Sequence, residues 1–336
     1  RNHSSAASDV YKRQVLWQFG QSVWLVRQRS WIRHTCGGFG RAPRASLWIV
    51  TILIADSGST KCDWLAITER GQELGEFHTM GFNPYFHDAD LVEREMNANS
   101  QAMAMAGTVD RVFFYGAGSS SPELCAVIAE GLRRVFTNAE VHVGHDLDGA
   151  AYSTYTGEPA VTCILGTGSN SCLFDGTTVS EEVPALAYVL GDEGSGSWFG
   201  KKLLAGFLYG QLPEVIRADF EAEYGLDKLS ITKRVYQEPN ANVFLASFMT
   251  FLGRHKDHPF VQAWLDEGFK AFLDVHVKCF ADASRVPIHF VGSVAYHFQD
   301  ALKKACSDRG YRVGNIIKKP IDGLAQYHVQ FILKTS

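Results

Sequence analysis

Two short loops, each rich in glycine and hydroxyl side chains, carry the residues in this sequence that are best suited to chemistry. The first runs from Asp56 to Lys61 and reads DSGSTK; the second runs from Gly166 to Ser169 and reads GTGS. Backbone N–H groups in tight glycine loops form concavities that bind anions, and glycine lets an anion approach the main chain closely. The two loops together therefore predict a phosphate group that is held from both sides.

The side chains of these loops add donors and charge to the predicted phosphate site. The residues expected to contact the phosphates are Asp56, Gly58, Ser59, Thr60, Lys61, Gly166, Thr167, Gly168 and Ser169. Ser57 supplies one more hydroxyl. Asp56 ends an apolar run, where its carboxylate is expected to orient Mg²⁺ and its water shell, since Mg²⁺ usually keeps several waters. A single Gly-Thr-Gly-Ser stretch is more often a plain turn, so the prediction depends on the recurrence of such loops in order.

The first loop is expected to join two strands of an α/β unit. A later helix in this unit is predicted to begin with Ser121 as its cap and Pro122 at its first position. The last strand of the unit ends at His145, a residue that we interpret as structural or solvent-facing. The other predicted elements are strands at 52–55, 62–67 and 73–78, a helical segment at 88–106, and a buried strand before the Ser121 cap.

The second loop begins a similar unit. It joins two predicted strands, a third strand is predicted at Val183–Leu190, and a strand, a Gly/Ser loop, a helix and a strand follow from Val286. Between them we expect helices near Pro213–Tyr224, Asn242–Arg254 and His258–Ser284, in which Phe244, Phe248, Phe251 and Leu252 have core spacing. The same order of elements thus occurs twice, and strands that alternate with helices predict an α/β fold with mixed sheets.

Four motifs resemble those of a known superfamily when they are taken together. DSGSTKCD and LGTGSNS are similar to the two phosphate motifs of the actin-like ATPases (sugar kinases, Hsp70, actin), FYGAG to the connecting motif, and FVGSVAYHF to the adenosine motif. More narrowly, the sequence resembles the BadF/BadG/BcrA/BcrD ATPase family and its N-acetylglucosamine kinase branch. The resemblance covers about residues 52–328, and IDGLAQYH resembles the start of the last helix, which packs back on the first domain in that family.

This resemblance implies a fold and a set of site residues. The fold would be two ribonuclease H-like domains, at 51–145 and 146–336, with a helical insertion at about 195–285. ATP and Mg²⁺ would be the cofactors, with Gly292 and Ser293 at the adenosine. The sugar would be bound by Asn83, Asn170, Asp192 and Glu193. Asp146 would be the catalytic base, because a carboxylate can accept the proton of an attacking sugar hydroxyl. Asp148 is a rival for that role, and its alternative interpretation is a helix N-terminal acid.

The function that the resemblance implies is ATP-dependent phosphorylation of an amino sugar, N-acetylglucosamine at its 6-hydroxyl. Glucosamine or another hexose is the alternative within the same class. Two other classes fit less well. A CoA-dehydratase activator would need paired cysteines for an iron–sulfur cluster, and a sugar-binding repressor would carry a helix-turn-helix before the first loop; neither pattern is evident. A family ATPase that acts as a switch without kinase activity remains open.

Composition limits the other functions. The chain has 336 residues and a net charge of −4, no apolar run approaches the about 18 residues of a membrane span, and nucleic-acid and membrane partners are not expected. The cysteines are scattered, without a C-x-x-C pair, which predicts reduced thiols in a cytoplasmic protein. These cysteines are Cys36, Cys62, Cys125, Cys163, Cys172, Cys279 and Cys306. The oligomeric state is not fixed by the sequence, and a homodimer is one state that it allows.

The first 50 residues differ in composition from the rest. They hold eight Lys/Arg and one Asp, a net charge of +7, which leaves −11 for the remainder. We interpret residues 1–50 as a non-native or disordered leader and exclude them from the fold; a targeting peptide and a genuine N-terminal arm are the alternatives.

Overall fold

Two five-stranded sheets with the same strand order organise the part of the chain that the computed structural model describes, residues 50–58 and 60–335. Residues 1–49 of the predicted leader, which include Cys36, and Ser59 lie outside the described residues. The strands of the first sheet are β1 (Thr51–Ser57), β2 (Lys61–Thr68), β3 (Glu73–Met80), β4 (Val109–Gly116) and β5 (Glu140–His145). The order is β3-β2-β1-β4-β5, in which β1 pairs antiparallel with β2 and parallel with β4, and β4 pairs parallel with β5.

The second sheet repeats this arrangement strand for strand. Its strands are β6 (Ala160–Leu165), β7 (Ser169–Phe174), β8 (Val179–Ser180), β9 (Ile288–Val291) and β10 (Val313–Ile317). Read from the opposite edge, its order is β8-β7-β6-β9-β10, with β6 antiparallel to β7 and parallel to β9, and β9 parallel to β10. The mixed α/β class and the repeated order of elements are therefore confirmed.

The helices fill the connections between these strands. They are α1 (Ala89–Ala98), α2 (Ser100–Met105), α3 (Pro122–Val135), α4 (Asp146–Thr154), α5 (Ala187–Leu190), α6 (Gly196–Leu208), α7 (Glu214–Tyr224), α8 (Lys228–Tyr236), α9 (Ala241–Ser247), α10 (Met249–Arg254), α11 (Pro259–Phe272), α12 (Ser293–His297), α13 (Gln299–Asp308) and α14 (Ile321–Tyr327). A π-helical turn continues α11 over Leu273–Val277, and another continues α14 over His328–Ile332, before a 3₁₀ turn at Leu333–Thr335. No helix of the described residues has the length and apolar character needed to cross a bilayer.

Several local predictions can be compared with these elements. Ser121 caps α3, where its Oγ accepts the N–H of Leu124 at 3.3 Å, as predicted. The prediction of a strand at Val183–Leu190 is wrong. The third strand is β8, only two residues long, and Ala187–Leu190 is a short helix. The apolar run was misleading because Val189 and Leu190 are exposed and have no sheet face to cover.

The two sheets pack into separate apolar cores. Trp64, Phe77 and Phe114 are almost fully buried beneath the first sheet. The second sheet packs on the helices that lie between β8 and β9. There Phe248, Phe251 and Leu252 are buried and Phe244 is partly buried, as their helical spacing predicted.

The end of the chain returns to the first sheet, as the resemblance implied. Helix α14 contacts α4, β1 and β2. A Cβ atom on Gly323 would lie 2.2 Å from the carbonyl oxygen of Ser153, so only glycine allows the two helices to approach so closely. Just beyond α14, the buried His328 places Nε2 3.0 Å from the hydroxyl of Tyr115 on β4.

We expect His328 to make stability depend on pH. Burial, with a smaller contribution from His142, lowers the pKa of His328 to about 4. An unfolded histidine titrates near about 6.5, so between these values the unfolded chain binds more protons and stability falls as the pH falls. At about pH 5 the loss relative to neutral pH should be about 2 kcal/mol.

Urea unfolding of the wild type and His328→Gln at about pH 7.5 and pH 5 measures this effect. Glutamine can still pair with Tyr115 but does not titrate, so the variant should lose less stability on acidification. Equal losses in the two proteins would show that His328 is not the group responsible.

Candidate active site

The predicted phosphate loops lie on facing edges of the two sheets. Strands β1, β3, β4 and β5 run in one direction, so the segments that follow them share one edge of the first sheet. The corresponding edge of the second sheet carries 166–168, the segment after β8, and Gly292. A cavity of about 210 Å³ joins the two edges, because Thr60 of the first loop and Gly166 of the second both line it.

Four residues that the sequence assigned to the cofactor line this cavity together. They are Thr60, Gly166, Thr167 and Ser293. Sequence reasoning did not single out the other lining residues, which are Gly196, Val243, Ala246, Ser247 and Met249 from the helices between β8 and β9, and Val294 from α12. A larger cavity of about 560 Å³ between the β2–β3 turn and α14 contains none of the predicted site residues.

The second loop is fixed by the start of helix α6. The N–H groups of Gly196 and Ser197 donate to the carbonyl oxygens of Gly166 and Thr167 at 2.8 and 3.0 Å. Gly292 lies beneath the loop with φ 117°, and a Cβ atom there would lie 2.4 Å from the carbonyl oxygen of Leu165. The main chain of this region is therefore tightly packed and shaped before any ligand binds.

Asp192 supports the second loop from behind. Its Oδ1 accepts the N–H of Ser169 at 3.1 Å, and its Oδ2 accepts the hydroxyl of Ser197 at 3.3 Å. A Cβ atom on Gly168 would lie 2.9 Å from Oδ1, which explains glycine at that position. Burial raises the pKa of Asp192, and the two hydrogen bonds oppose that rise. Ser169 Oγ is buried and has no hydrogen-bond partner among the described residues.

Glu193, the other acid predicted to bind sugar, contacts the π-helical turn that follows α11. Its Oε2 lies 3.5 Å from Nε2 of His276, a buried histidine in the π-helical turn after α11. Ser171 on β7 donates its hydroxyl to the carbonyl oxygen of His276 at 2.6 Å. The same turn therefore contacts both Glu193 and Ser171, and Ser171 is the neighbour of Asn170 on β7.

The first loop concentrates negative charge. Asp56 on β1 lies directly opposite Asp63 on β2. Burial, then Asp63 and Asp146, raise the pKa of Asp56 to about 7. A cation would relieve this repulsion, and carboxylate oxygen suits Mg²⁺. The described residues contain no cluster of three or more side chains that could ligate a metal, so the fit is to an ion that keeps waters and phosphate oxygens as its other ligands.

Two side chains of the first loop are engaged within the protein. The ammonium of Lys61 lies 2.6 Å from Oδ1 of Asp63, which His78 also contacts at 2.7 Å. Ser57 is fully buried and its Oγ accepts the N–H of Phe82 at 2.9 Å, so the expectation that this hydroxyl contacts phosphate is wrong. The N–H of Gly58 donates to the carbonyl oxygen of Lys61 at 3.0 Å and closes the turn.

Asp146 lies at the end of β5, where it begins helix α4. Burial raises its pKa, and the neighbouring His145 opposes the rise. His145 Nε2 lies 3.1 Å from Asp146 Oδ1, and His145 Nδ1 lies 3.6 Å from Oε1 of Glu181. Sequence reasoning gave His145 no role at the site and did not single out Glu181, because their contact joins two distant segments.

The remaining predicted residues lie around this group. Asn170 is buried, and its Nδ2 lies 3.5 Å from Oε2 of Glu181, which brings it into the same polar chain as Asp146. Asn83 follows β3, where its Oδ1 accepts the N–H of Tyr85 at 3.0 Å and packs on Gly118. Asp148 Oδ2 accepts the N–H of His145 at 3.1 Å and caps α4, which agrees with its interpretation as a helix N-terminal acid.

Comparison with solved structures finds two similar proteins, and both are proposed N-acetylglucosamine kinases. The chain is similar to a proposed N-acetylglucosamine kinase from Porphyromonas gingivalis, with 38% sequence identity and a TM-score of 0.80 over 84% of this chain and 99% of that chain. It is also similar to a proposed N-acetylglucosamine kinase from Chromobacterium violaceum, with 17% identity and a TM-score of 0.61 over 84% of this chain and 100% of that one. At this lower identity the likeness shows the fold alone.

The same fold also occurs in a regulator. A ROK family transcriptional regulator, a homologue of the E. coli MLC protein, aligns with 11% identity and a TM-score of 0.50 over 85% of this chain and 80% of that chain. No protein-family model matches the chain. No curated protein matches it either.

Two glycine substitutions should separate ligand binding from folding. A Cβ atom on Gly166 would meet nothing within 4 Å, whereas one on Gly292 would collide with the main chain. Gly166→Ala should therefore leave thermal unfolding unchanged, while its methyl group, placed in the cavity, should weaken Mg·ATP binding by about tenfold, or about 1.4 kcal/mol. Gly292→Ala should lower the unfolding temperature because of its strained φ.

Calorimetric titration with Mg·ATP, together with thermal unfolding without ligand, measures both effects. Wild-type affinity in Gly166→Ala would mean that the phosphates do not approach this loop.

Proposed function

Because the chain belongs to the N-acetylglucosamine kinase-like branch of the actin-like ATPase superfamily, we propose that it phosphorylates an amino sugar with ATP. N-acetylglucosamine is the substrate that we favour, with the 6-hydroxyl as acceptor. The observation that carries the proposal is the cavity in which Thr60 of one sheet and Gly166, Thr167 and Ser293 of the other come together. The domain boundary at 145/146 and the helical insertion at about 195–285 are part of the same proposal.

The two loops would hold the phosphates of ATP between them. The first loop contributes Gly58, Ser59, Thr60 and Lys61, and the second contributes 166–169. In the second loop the carbonyl groups of Gly166 and Thr167 are already bonded to α6, which holds the loop in place for a ligand. Gly292 and Ser293 would lie beside the adenosine. Lys61 would have to leave Asp63 to contact phosphate directly.

Asp56 is the residue that would hold Mg²⁺, through its water shell. When bound, the ion would neutralise charge on the transferred phosphoryl group. A nearby cation would favour the ionised form of Asp56, whose pKa burial and the neighbouring carboxylates raise to about 7.

Asp146 would accept the proton of the attacking sugar hydroxyl. Its raised pKa makes it a better proton acceptor than an exposed aspartate, since an acid–base group works best near the operating pH. Asn83, Asn170, Asp192 and Glu193 would orient the sugar. The present contacts favour Asn170 for direct binding, because it lies in one polar chain with Asp146, whereas Asp192 already supports the second loop.

The site lies between two sheets, and this arrangement suits a kinase. A kinase must avoid transferring the phosphoryl group of ATP to water. If the cleft closes only around both substrates, closure excludes water and commits the sugar and ATP to the transfer.

ADP release by the full chain with Mg·ATP tests the proposal. The assay compares N-acetylglucosamine, glucosamine, glucose, N-acetylmannosamine and no sugar. Turnover should require an amino sugar, with N-acetylglucosamine the best substrate. Asp146→Asn should lower kcat by about 10²–10⁴-fold, the usual contribution of a general base.

Asp148→Asn is the matched control in this assay. It lies in the first turn of the same helix but serves as a cap, so its kcat should stay near that of the wild type. If the rate of ATP hydrolysis is the same with every sugar, without sugar and in both variants, the proposed kinase activity is contradicted. That result would favour an ATPase that acts as a switch.

A further inference from the structure

The side chain of His145 lies between two carboxylates that come from different parts of the fold. Asp146 is its neighbour in sequence and begins α4, while Glu181 follows β8 in the second half of the chain. The imidazole uses one ring nitrogen toward each, at 3.1 Å to Asp146 Oδ1 and 3.6 Å to Glu181 Oε1. The side chain of His145 is only 18% exposed, so the ring is largely enclosed.

The contact with His145 leaves the two oxygens of Asp146 unequal. Oδ1 is buried, and the ring nitrogen of His145 lies beside it. The side chain of Asp146 as a whole is 24% exposed, and none of this exposure is at Oδ1. Because Oδ1 is enclosed, Oδ2 is the oxygen of this carboxylate that is left for an approaching hydroxyl. A carboxylate held beside the imidazole in this way would present one defined oxygen to a substrate.

Glu181 extends the chain of contacts to Asn170. Its Oε2 lies 3.5 Å from Asn170 Nδ2, while its Oε1 faces His145. The Oδ1 of Asn170 accepts the N–H of Ser171 at 2.8 Å, which fixes the amide from the other side. The side chain of Glu181 is 39% exposed, so part of it is open to solvent. Asp146, His145, Glu181 and Asn170 thus form one continuous polar chain.

We propose that His145 and Glu181 are positioning residues for the phosphoryl transfer: His145 orients the carboxylate of Asp146, and Glu181 holds both His145 and the amide of Asn170. This inference rests on the proposed function. In many enzymes the catalytic base is itself oriented by a neighbouring side chain. Because Glu181 belongs to the other half of the fold, the arrangement is complete only when the two sheet edges are close together.

Substitutions of His145 test the orientation of Asp146. His145→Ala should lower kcat by roughly tenfold or more, but by less than the about 10²–10⁴-fold expected for loss of the base itself. A glutamine amide reaches the place of Nε2 and can donate to Asp146, so His145→Gln should recover most of kcat. An asparagine amide reaches only the place of Nδ1, so His145→Asn should resemble alanine. The KM for ATP should not change.

Substitutions of Glu181 test the connection to the sugar. Glu181→Ala should raise the KM for N-acetylglucosamine, because Asn170 loses its partner, and should also lower kcat. The effects of His145→Ala and Glu181→Ala on kcat should not multiply in the double variant, because residues in one network are coupled.

His142→Ala is the matched control. His142 lies on the same strand and also faces a glutamate, with Nε2 3.3 Å from Glu140 Oε1, but it stacks on Phe113 away from the cleft. Its kcat and both KM values should match those of the wild type.

The outcomes distinguish this inference from the proposed function. Sugar-dependent turnover in the wild type, with His145→Ala and Glu181→Ala no different from His142→Ala, would overturn the positioning role and leave the kinase intact. Losses that track the unfolding temperature, without recovery in His145→Gln, would also overturn it. Absence of sugar-dependent turnover in the wild type would overturn both.

Discussion

The close packing of helix α4 between the two sheets is the constraint on which the rest of the site depends. Leu147, Ala150 and Ala151 are almost fully buried, and the helix contacts strands of both sheets. A Cβ atom on Gly149 would lie 2.8 Å from the Cβ of Tyr115, so the helix can lie this near β4 only with glycine there. Asp146 begins this helix, and its position is therefore determined by both halves of the fold together.

Electrostatic repulsion is the second constraint. Burial raises the pKa of Asp56, and the nearby carboxylates of Asp63 and Asp146 add to this effect. A protein maintains such a cluster at a cost, and strongly perturbed carboxylates in a cleft are typical of functional sites. The ammonium of Lys61 pairs with Asp63, and Nδ1 of His78 lies beside the same carboxylate oxygen. We propose that a cation bound beside Asp56 relieves the repulsion that remains.

The sequence was informative wherever local residue types decide the structure. Glycine and hydroxyl residues between apolar runs predicted a loop between two strands at 56–61 and at 166–169, the repeated order of elements predicted the two similar sheets, and Ser-Pro predicted the start of α3. The pairing of Lys61 with Asp63 could also have been predicted from the sequence, because residues two apart in a strand lie on the same face.

Long-range contacts account for what the sequence did not show. The contact of His145 with Glu181 joins segments that are far apart in the chain, and no local pattern marks it. Ser57 was expected to face phosphate, but the loop after β3 takes its hydroxyl, and that depends on how the two segments pack. The run at Val183–Leu190 has the composition of a strand, yet its exposed side chains lack a neighbouring strand to pair with.

The most direct test of this account is a crystal structure of the full chain with N-acetylglucosamine, Mg²⁺ and a non-hydrolysable ATP analogue. The account predicts that the phosphates lie between 58–60 and 166–168, and that an acceptor hydroxyl of the sugar lies within about 3 Å of Asp146 Oδ2. Phosphates bound elsewhere, or a sugar whose hydroxyls are out of reach of Asp146, would contradict it.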